Sequence, residues 1–101
     1  MNKNFIIPTA LRRRAQQLCD TMQEISGYDP AEDSRKRPVV TARIFVCYVL
    51  LLEGWSEHRI GITVGWDHST INYYRKRMVE ILTLPGFDAE RELWEQFKKS
   101  I

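Results

Sequence analysis

The sequence has few of the residues that build disulfide bonds, metal sites or cofactor sites. Only two cysteines occur among its 101 residues, and no cysteine and histidine pair has the spacing of metal ligands. Cys19 and Cys47 fall on apolar positions of predicted helices, which is typical of buried free thiols. A glycine-rich phosphate loop is also missing, so we expect no ATPase domain. Since ligand spacing is missing too, we expect no metal and no other cofactor.

Long hydrophobic runs and a targeting segment are missing as well. The longest apolar run covers residues 44–52, which is too short to cross a bilayer. The apolar part of residues 1–7 is too short for a signal peptide and is followed by Pro8. We therefore expect no membrane association and a reducing cytoplasm as the compartment.

The sequence contains no paired carboxylates placed for acid and base catalysis, and we expect no enzymatic activity. Asp67, His68 and Ser69 invite comparison with a catalytic triad. Adjacent residues of a helix, however, point about 100° apart and cannot form the required chain of hydrogen bonds.

The chain is long enough for one core, so we predict a single domain over residues 1–101. Its net charge of +2 is modest but unevenly distributed. Residues 34–53 contain four basic groups and one acidic group, whereas residues 83–101 contain four acidic and three basic groups. This distribution favours a basic face that binds phosphates, with an ordinary solvated charged face as the alternative.

Apolar spacing predicts an all-α bundle of four to five helices. Thr9 can cap a first helix that ends near Ser26 and is closed by Gly27. Its apolar stripe consists of Leu11, Ala15, Leu18, Met22 and Ile25. Near its start lie Arg12, Arg13 and Arg14, which form either a solvated face or an auxiliary phosphate contact.

Residues 44–52 are apolar on every side and rich in β-branched residues, so propensity alone would also allow a buried strand. We predict a helix because Thr41 can cap it and Glu53-Gly54 can end it. An all-helical chain would also leave a lone strand without a partner. A helix without a polar face belongs at the centre of the bundle.

Residues 56–77 have the spacing of a helix-turn-helix. Gly61 falls where two short helices would cross, and Gly65 falls where the chain must turn sharply with a positive φ. Asp67 can then cap the second helix. The inward positions are Ile60, Val64, Ile71 and Tyr74. The alternative is an ordinary helical hairpin within a small core.

The second of these helices carries polar and basic residues outward. His68, Ser69 and Thr70 occupy its first turn, where a recognition helix presents side chains to bases and phosphates. The later turns add Asn72, Tyr73, Arg75, Lys76 and Arg77. A basic run, Ser-Arg-Lys-Arg-Pro at 34–38, lies ahead of the central helix.

Together these motifs resemble the C-terminal DNA-binding domain of the bacterial replication initiator DnaA, which has a Trp-repressor-like helix-turn-helix fold. The resemblance covers about residues 15–82 and rests on Ser-Arg-Lys-Arg at 34–37, Ala42-Arg43, Ile60-Gly61 and Gly-Trp-Asp-His-Ser-Thr at 65–70. The run at 67–70 is its most specific part. In that family this run opens the recognition helix in the major groove, and an arginine of the basic loop enters the adjacent minor groove.

The resemblance implies that the partner is double-stranded DNA, bound sequence-specifically in replication initiation at an origin or in its control. The implied base contacts are Asp67, His68, Ser69 and, in the minor groove, Arg37, and Thr70 would contact a phosphate. The residues around the motif add the phosphate contacts Arg35, Lys36, Arg43, Asn72, Tyr73, Arg75, Lys76 and Arg77. Without an ATPase domain, we expect the DNA-reading module alone.

Two other functions stay open. One is a transcriptional repressor of Trp-repressor-like architecture that takes a small-molecule ligand, and the other is a helical protein-interaction module.

After Leu82, residues 83–87 break the helix, and Asp88 can cap an accessory helix over about 88–100. One side of this helix carries Leu93, Trp94, Phe97 and Ile101. It either folds back over the central helix or offers Trp94 and Phe97 to a homodimer or a protein partner.

Overall fold

A computed structural model of the protein describes residues 8–101 as five α-helices without a β-strand. The helices are α1 (Thr9–Ser26), α2 (Arg37–Leu52), α3 (Glu57–Val64), α4 (His68–Thr83) and α5 (Asp88–Ser100). The predicted all-α class is therefore confirmed for these residues. The N-terminal segment in which we expect no signal peptide, residues 1–7, lies outside the described residues.

Helix α2 is the centre of the bundle, as predicted. Most of its residues between Val39 and Leu50 are buried, and it packs against α1, α3 and α4. The ring of Phe45 lies 5.3 Å from the ring of Trp94 in α5, measured between centroids. Burial stabilises each large apolar side chain by about 1.5–3 kcal/mol, which explains why a helix with no polar face takes this place.

Helix α1 covers one side of α2 with the predicted apolar stripe. Its first four members are buried, and Ile25 is half-buried. Gly27 ends the helix in the left-handed conformation, with φ 79°, and its backbone N–H donates to the carbonyl of Gln23. The predicted cap is wrong, because Pro8 occupies the N-cap position and Thr9 is already helical.

Helix α2 begins earlier than predicted. Thr41 is buried within the helix and caps nothing, while Lys36 is the N-cap residue and Pro38 lies in the first turn. Proline is favoured there because its missing N–H is one that a helix start leaves without a partner. The basic run at 34–38 is therefore only partly a loop, since Arg37 is the first residue of α2. The helix ends at Leu52, and Glu53 is its C-cap residue, in agreement with the predicted end at Glu53-Gly54.

Helices α3 and α4 pack against each other across a sharp turn. Gly65 lies in the left-handed region with φ 80°, and its backbone N–H donates to the carbonyl of Gly61. A Cβ atom added to Gly61 would overlap the carbonyl oxygen of Trp66, so the predicted close approach at Gly61 is confirmed. Asp67 is the N-cap residue of α4, also as predicted.

Helix α5 folds back onto the bundle. Asp88 is its first residue rather than its cap, and it adds an acidic group to the first turn, where the helix dipole favours negative charge. Trp94 and Phe97 are buried in the core, while Ile101 is exposed. None of the helices within residues 8–101 is long and apolar enough to cross a membrane.

Candidate functional site

The first turn of α4 is capped and exposed to solvent. The Oδ1 atom of Asp67 accepts hydrogen bonds from the backbone N–H and from the hydroxyl of Ser69, both at 2.8 Å. These two hydrogen bonds lower the pKa of the Asp67 carboxyl below its usual value. The side chain of His68 is 69% exposed, and its Nδ1 lies 3.6 Å from the same oxygen. The turn therefore presents a carboxylate, an imidazole and a hydroxyl oxygen that can still accept a hydrogen bond.

The outward side of α4 continues this surface along the helix. Ser69, Asn72, Tyr73 and Lys76 share it because residues three and four apart lie on the same side of a helix. Tyr73 and Lys76 are exposed, whereas the opposite side of α4 is buried in the core. Thr70 is half-buried beside this surface. The result is a polar strip that begins at Ser69 and ends at Lys76.

One flank of the strip is held by Glu57, the first residue of α3. Its Oε1 accepts a hydrogen bond from Nδ2 of Asn72 at 3.2 Å and lies 3.0 Å from Nη2 of Arg75. These contacts tie the start of α3 to the middle of α4. The carboxylate of Glu57 also offsets part of the positive charge that Arg75 would offer to another anion.

The basic run at the start of α2 provides a second group of cations. Arg35 and Lys36 are exposed, and no carboxylate within residues 8–101 forms an ion pair with them. Arg37 is also exposed, but its Nη2 lies 3.1 Å from Oε2 of Glu90 in α5. Two of the three basic side chains are therefore available to bind an anion directly.

The basic run and α4 meet across a cavity of about 230 Å³. Arg35 and Arg37 line it from the basic run, and Tyr73 and Arg77 line it from α4. Phe87 lies between these elements, and its ring centroid is 5.9 Å from Cζ of Arg37 and 5.0 Å from Cζ of Arg77. Residues that are about 40 positions apart in the sequence are thus brought onto one surface.

Arg43, a predicted phosphate contact, lies in the interior and is removed from the candidate site. Its Nε donates to the carbonyl of Pro30 at 2.9 Å, and its Nη2 donates to the carbonyl of Glu32. Its Cζ lies 5.2 Å from the ring centroid of Trp66. A guanidinium with these partners supports the loop before α2 and the turn before α4.

Other cations fall outside the surface or were missed by the sequence analysis. Arg14 forms a two-point ion pair with Glu53, with its shortest distance 2.7 Å, while Arg12 and Arg13 are exposed on α1.

Arg59 was not predicted as a site residue, yet it is exposed on α3, where the first helix of a helical pair can approach a phosphate backbone. The sequence signal that could have indicated Arg59 is its position directly before Ile60-Gly61, within the first helix of the predicted helix-turn-helix.

Three further residues shape the surface and could not be found from sequence patterns. Glu57, Phe87 and Glu90 contact the predicted cations only because α3 and α5 fold against α4 and α2. Their separations from these partners range from 10 to 53 residues, so no local spacing indicates them.

The accessory helix does not expose the two aromatic side chains that a partner would need. Trp94 and Phe97 are 4% and 0% exposed. The Trp94 ring packs against the rings of Phe45 and Tyr48, at 5.3 and 5.8 Å between centroids. Their burial within the chain agrees with the alternative in which α5 folds back over α2.

Neither cysteine takes part in the surface. Cys47 is buried and Cys19 is half-buried, and both are free thiols. Burial raises the pKa of Cys19 to about 11, with smaller contributions from Asp29 and Asp20, and burial also raises the pKa of Cys47. Within residues 8–101 no group of three or more His, Cys, Asp or Glu side chains could hold a metal ion.

Comparisons with protein-family models, with curated protein sequences and with solved structures found no significant match to this chain.

Proposed function

We propose that the protein binds double-stranded DNA sequence-specifically, with α3, the turn and α4 acting as a helix-turn-helix. The observation that carries this proposal is the exposed first turn of α4, where Asp67 fixes the helix start beside His68 and Ser69. A helix that enters the major groove with its N-terminal turn presents such side chains to base edges. The strip that continues to Lys76 then follows the phosphate backbone.

The basic run supplies the second part of the interface. Arg35 and Lys36 bind phosphates, and Arg37 enters the neighbouring minor groove. Support comes from the shared cavity, because Arg35 and Arg37 face the same space as Tyr73 and Arg77 of α4. An arginine in the minor groove favours A·T-rich sequences, since the groove is narrow there and its negative potential is deepest.

We assign this activity to replication initiation or its control, on the strength of the resemblance to the DnaA C-terminal domain. The proposed base contacts are Asp67, His68, Ser69 and Arg37. Phosphate contacts come from Thr70, Arg35, Lys36, Asn72, Tyr73, Arg75, Lys76 and Arg77, with Arg59 added and Arg43 omitted. We propose no catalytic role for any of these residues.

A second candidate function is a transcriptional repressor that responds to a small molecule. A mainly apolar cavity of about 270 Å³ lies between the end of α1, the start of α2 and α5, and its lining includes Tyr28, Thr41 and Leu93. Arg37 lines this cavity too, so a ligand there would touch the proposed minor-groove arginine. A rise in melting temperature with a small apolar ligand would favour this candidate.

Selection of bound sequences from random duplex DNA tests the main proposal. We expect one enriched motif with an A·T-rich step at one side, and we expect Ser69→Ala to change the enriched bases. Lys99→Ala in the last turn of α5 is the matched control and should enrich the wild-type motif. If the wild-type protein enriches no sequence over the input pool, specific DNA recognition is excluded.

A further inference from the structure

The contact between Arg37 and Glu90 joins the proposed DNA surface to the accessory helix. Nη2 of Arg37 donates to Oε2 of Glu90 at 3.1 Å. The two side chains are exposed to different degrees, 69% for Arg37 and 18% for Glu90. Glu90 is therefore the more buried partner, and Arg37 is the one with room to turn away into solvent.

Phe87 reinforces this arrangement. Its ring lies within 6 Å of the Arg37 guanidinium, at 5.9 Å from Cζ, a distance at which the ring face attracts a cation. Phe87 is half-buried against the core, so the ring is itself fixed. Two contacts from the start of α5, one ionic and one aromatic, thus hold the Arg37 side chain against the protein.

A guanidinium bound to a carboxylate cannot also lie deep in a minor groove. Arg37 must leave Glu90 to insert, and the 18% exposed carboxylate would then lose the cation it faces. The negative charge of Glu90 also lies beside the cavity that we assign to DNA, where it repels phosphates. Both effects oppose binding.

We propose that Glu90 is a positioning residue that restrains Arg37 and lowers the affinity of the protein for DNA. This inference rests on the proposed DNA-binding function and adds to it a control exerted by α5. The accessory helix lies outside the span of the resemblance to the DnaA domain, residues 15–82, so the control belongs to this chain's own C-terminal segment. A change at Glu90 that releases the Arg37 side chain therefore increases binding.

The test compares Glu90→Gln with Glu92→Gln. Both variants remove one negative charge from α5, but Glu92 is exposed and forms no ion pair within residues 8–101. Binding is measured by fluorescence anisotropy on an A·T-rich duplex and on a G·C-rich duplex of equal length. We expect Glu90→Gln to bind about two- to fivefold tighter than Glu92→Gln, the range expected for one exposed ion pair. The gain should be larger on the A·T-rich duplex.

A double-mutant cycle shows whether the effect passes through Arg37. In an Arg37→Ala background the advantage of Glu90→Gln over Glu92→Gln should shrink, because the restrained side chain is gone and only the direct repulsion between Glu90 and phosphates remains. Equal affinities of the two Gln variants in the wild-type background would overturn the inference, as would a Glu90→Gln advantage that is as large in Arg37→Ala as in the wild-type background. If the wild-type protein binds neither duplex at low salt, the proposed function itself fails and this inference fails with it.

Discussion

The guanidinium carbon of Arg43 lies 5.2 Å from the ring centroid of Trp66, which joins the central helix to the turn that precedes α4. The same guanidinium donates hydrogen bonds to the backbone carbonyls of Pro30 and Glu32. One buried cation therefore connects the loop before α2, the core helix and the proposed recognition element. Its role is to fix the position of α4 on the bundle.

Replacing Arg43 should therefore lower the free energy of unfolding, and any loss of DNA binding should follow from that loss of stability. Arg43→Ala leaves two carbonyl groups without their donor and removes the stacking partner of Trp66, so we expect a loss of about 2–4 kcal/mol in the free energy of unfolding. Urea titration followed by Trp fluorescence measures it. Arg35→Ala is the control, and it should change stability by less than about 0.5 kcal/mol because Arg35 is exposed. Equal unfolding midpoints for the two variants would contradict this role.

Gly61 and Gly65 should tolerate alanine to different degrees. A methyl group at Gly61 meets the carbonyl oxygen of Trp66, which belongs to a backbone that cannot move without displacing α4. At Gly65 the added methyl meets no atom within 4 Å, and the cost is only that of φ 80°, about 1–2 kcal/mol. We expect Gly61→Ala to lower the melting temperature more than Gly65→Ala. The reverse order would show that α3 and α4 are not closely packed at this point.

Stability should fall in alkaline solution because of Cys19. Its pKa is raised to about 11 in the folded protein from 9.0, so the unfolded state loses the thiol proton first as the pH rises. The stability associated with keeping the Cys19 thiol protonated in the folded protein is fully present below about pH 9, and it is lost as the pH rises towards 11. Urea unfolding of reduced protein at pH 7.5, 9 and 10.5 should show a steeper loss for the wild type than for Cys19→Ala. Parallel losses would mean that the thiol is not protected from ionisation.

His68 and Lys76 should have different effects on DNA binding. His68→Ala should cost about 1–3 kcal/mol on the selected sequence and much less on random duplex, because only a base contact is lost. Lys76→Ala should weaken both duplexes alike, since a phosphate contact is independent of sequence. Both side chains are exposed, so thermal melts should not change. A lower melting temperature for His68→Ala would show that the imidazole supports the fold instead.

Local chemistry was enough to predict the turns and most of the helices. Gly27 and Gly65 adopt positive φ where the sequence placed them, and Asp67 caps α4, because each of these features depends on neighbouring residues only. The start of α2 was placed too late. The sequence pattern places Pro38 in a loop, although proline is equally compatible with the first turn of a helix, where the structure has it.

The composition of the candidate surface was harder to predict. Arg43 has the charge of a phosphate ligand, but its partners are backbone carbonyls 11 and 13 residues away, which no side-chain pattern reveals. Glu57 and Glu90 pair with Arg75 and Arg37 only through packing of separate helices. Basic residues can be counted from the sequence, whereas the carboxylates with which they form ion pairs are known only from the tertiary structure.

The most direct test of the account is the salt dependence of duplex binding. The proposed phosphate contacts include six cations, and Arg75 is set aside because it lies 3.0 Å from Glu57, a closer pair than the 3.4 Å between Arg77 and Glu80. The five that remain are Arg35, Lys36, Arg59, Lys76 and Arg77. If they neutralise about five phosphates, the logarithm of the binding constant should fall with the logarithm of salt concentration at a slope of about −4 to −5. Lys76→Ala should make the slope less steep by about 1, and Lys99→Ala should leave it unchanged. A flat slope, or no duplex binding at low salt, would contradict the proposal that this protein binds DNA.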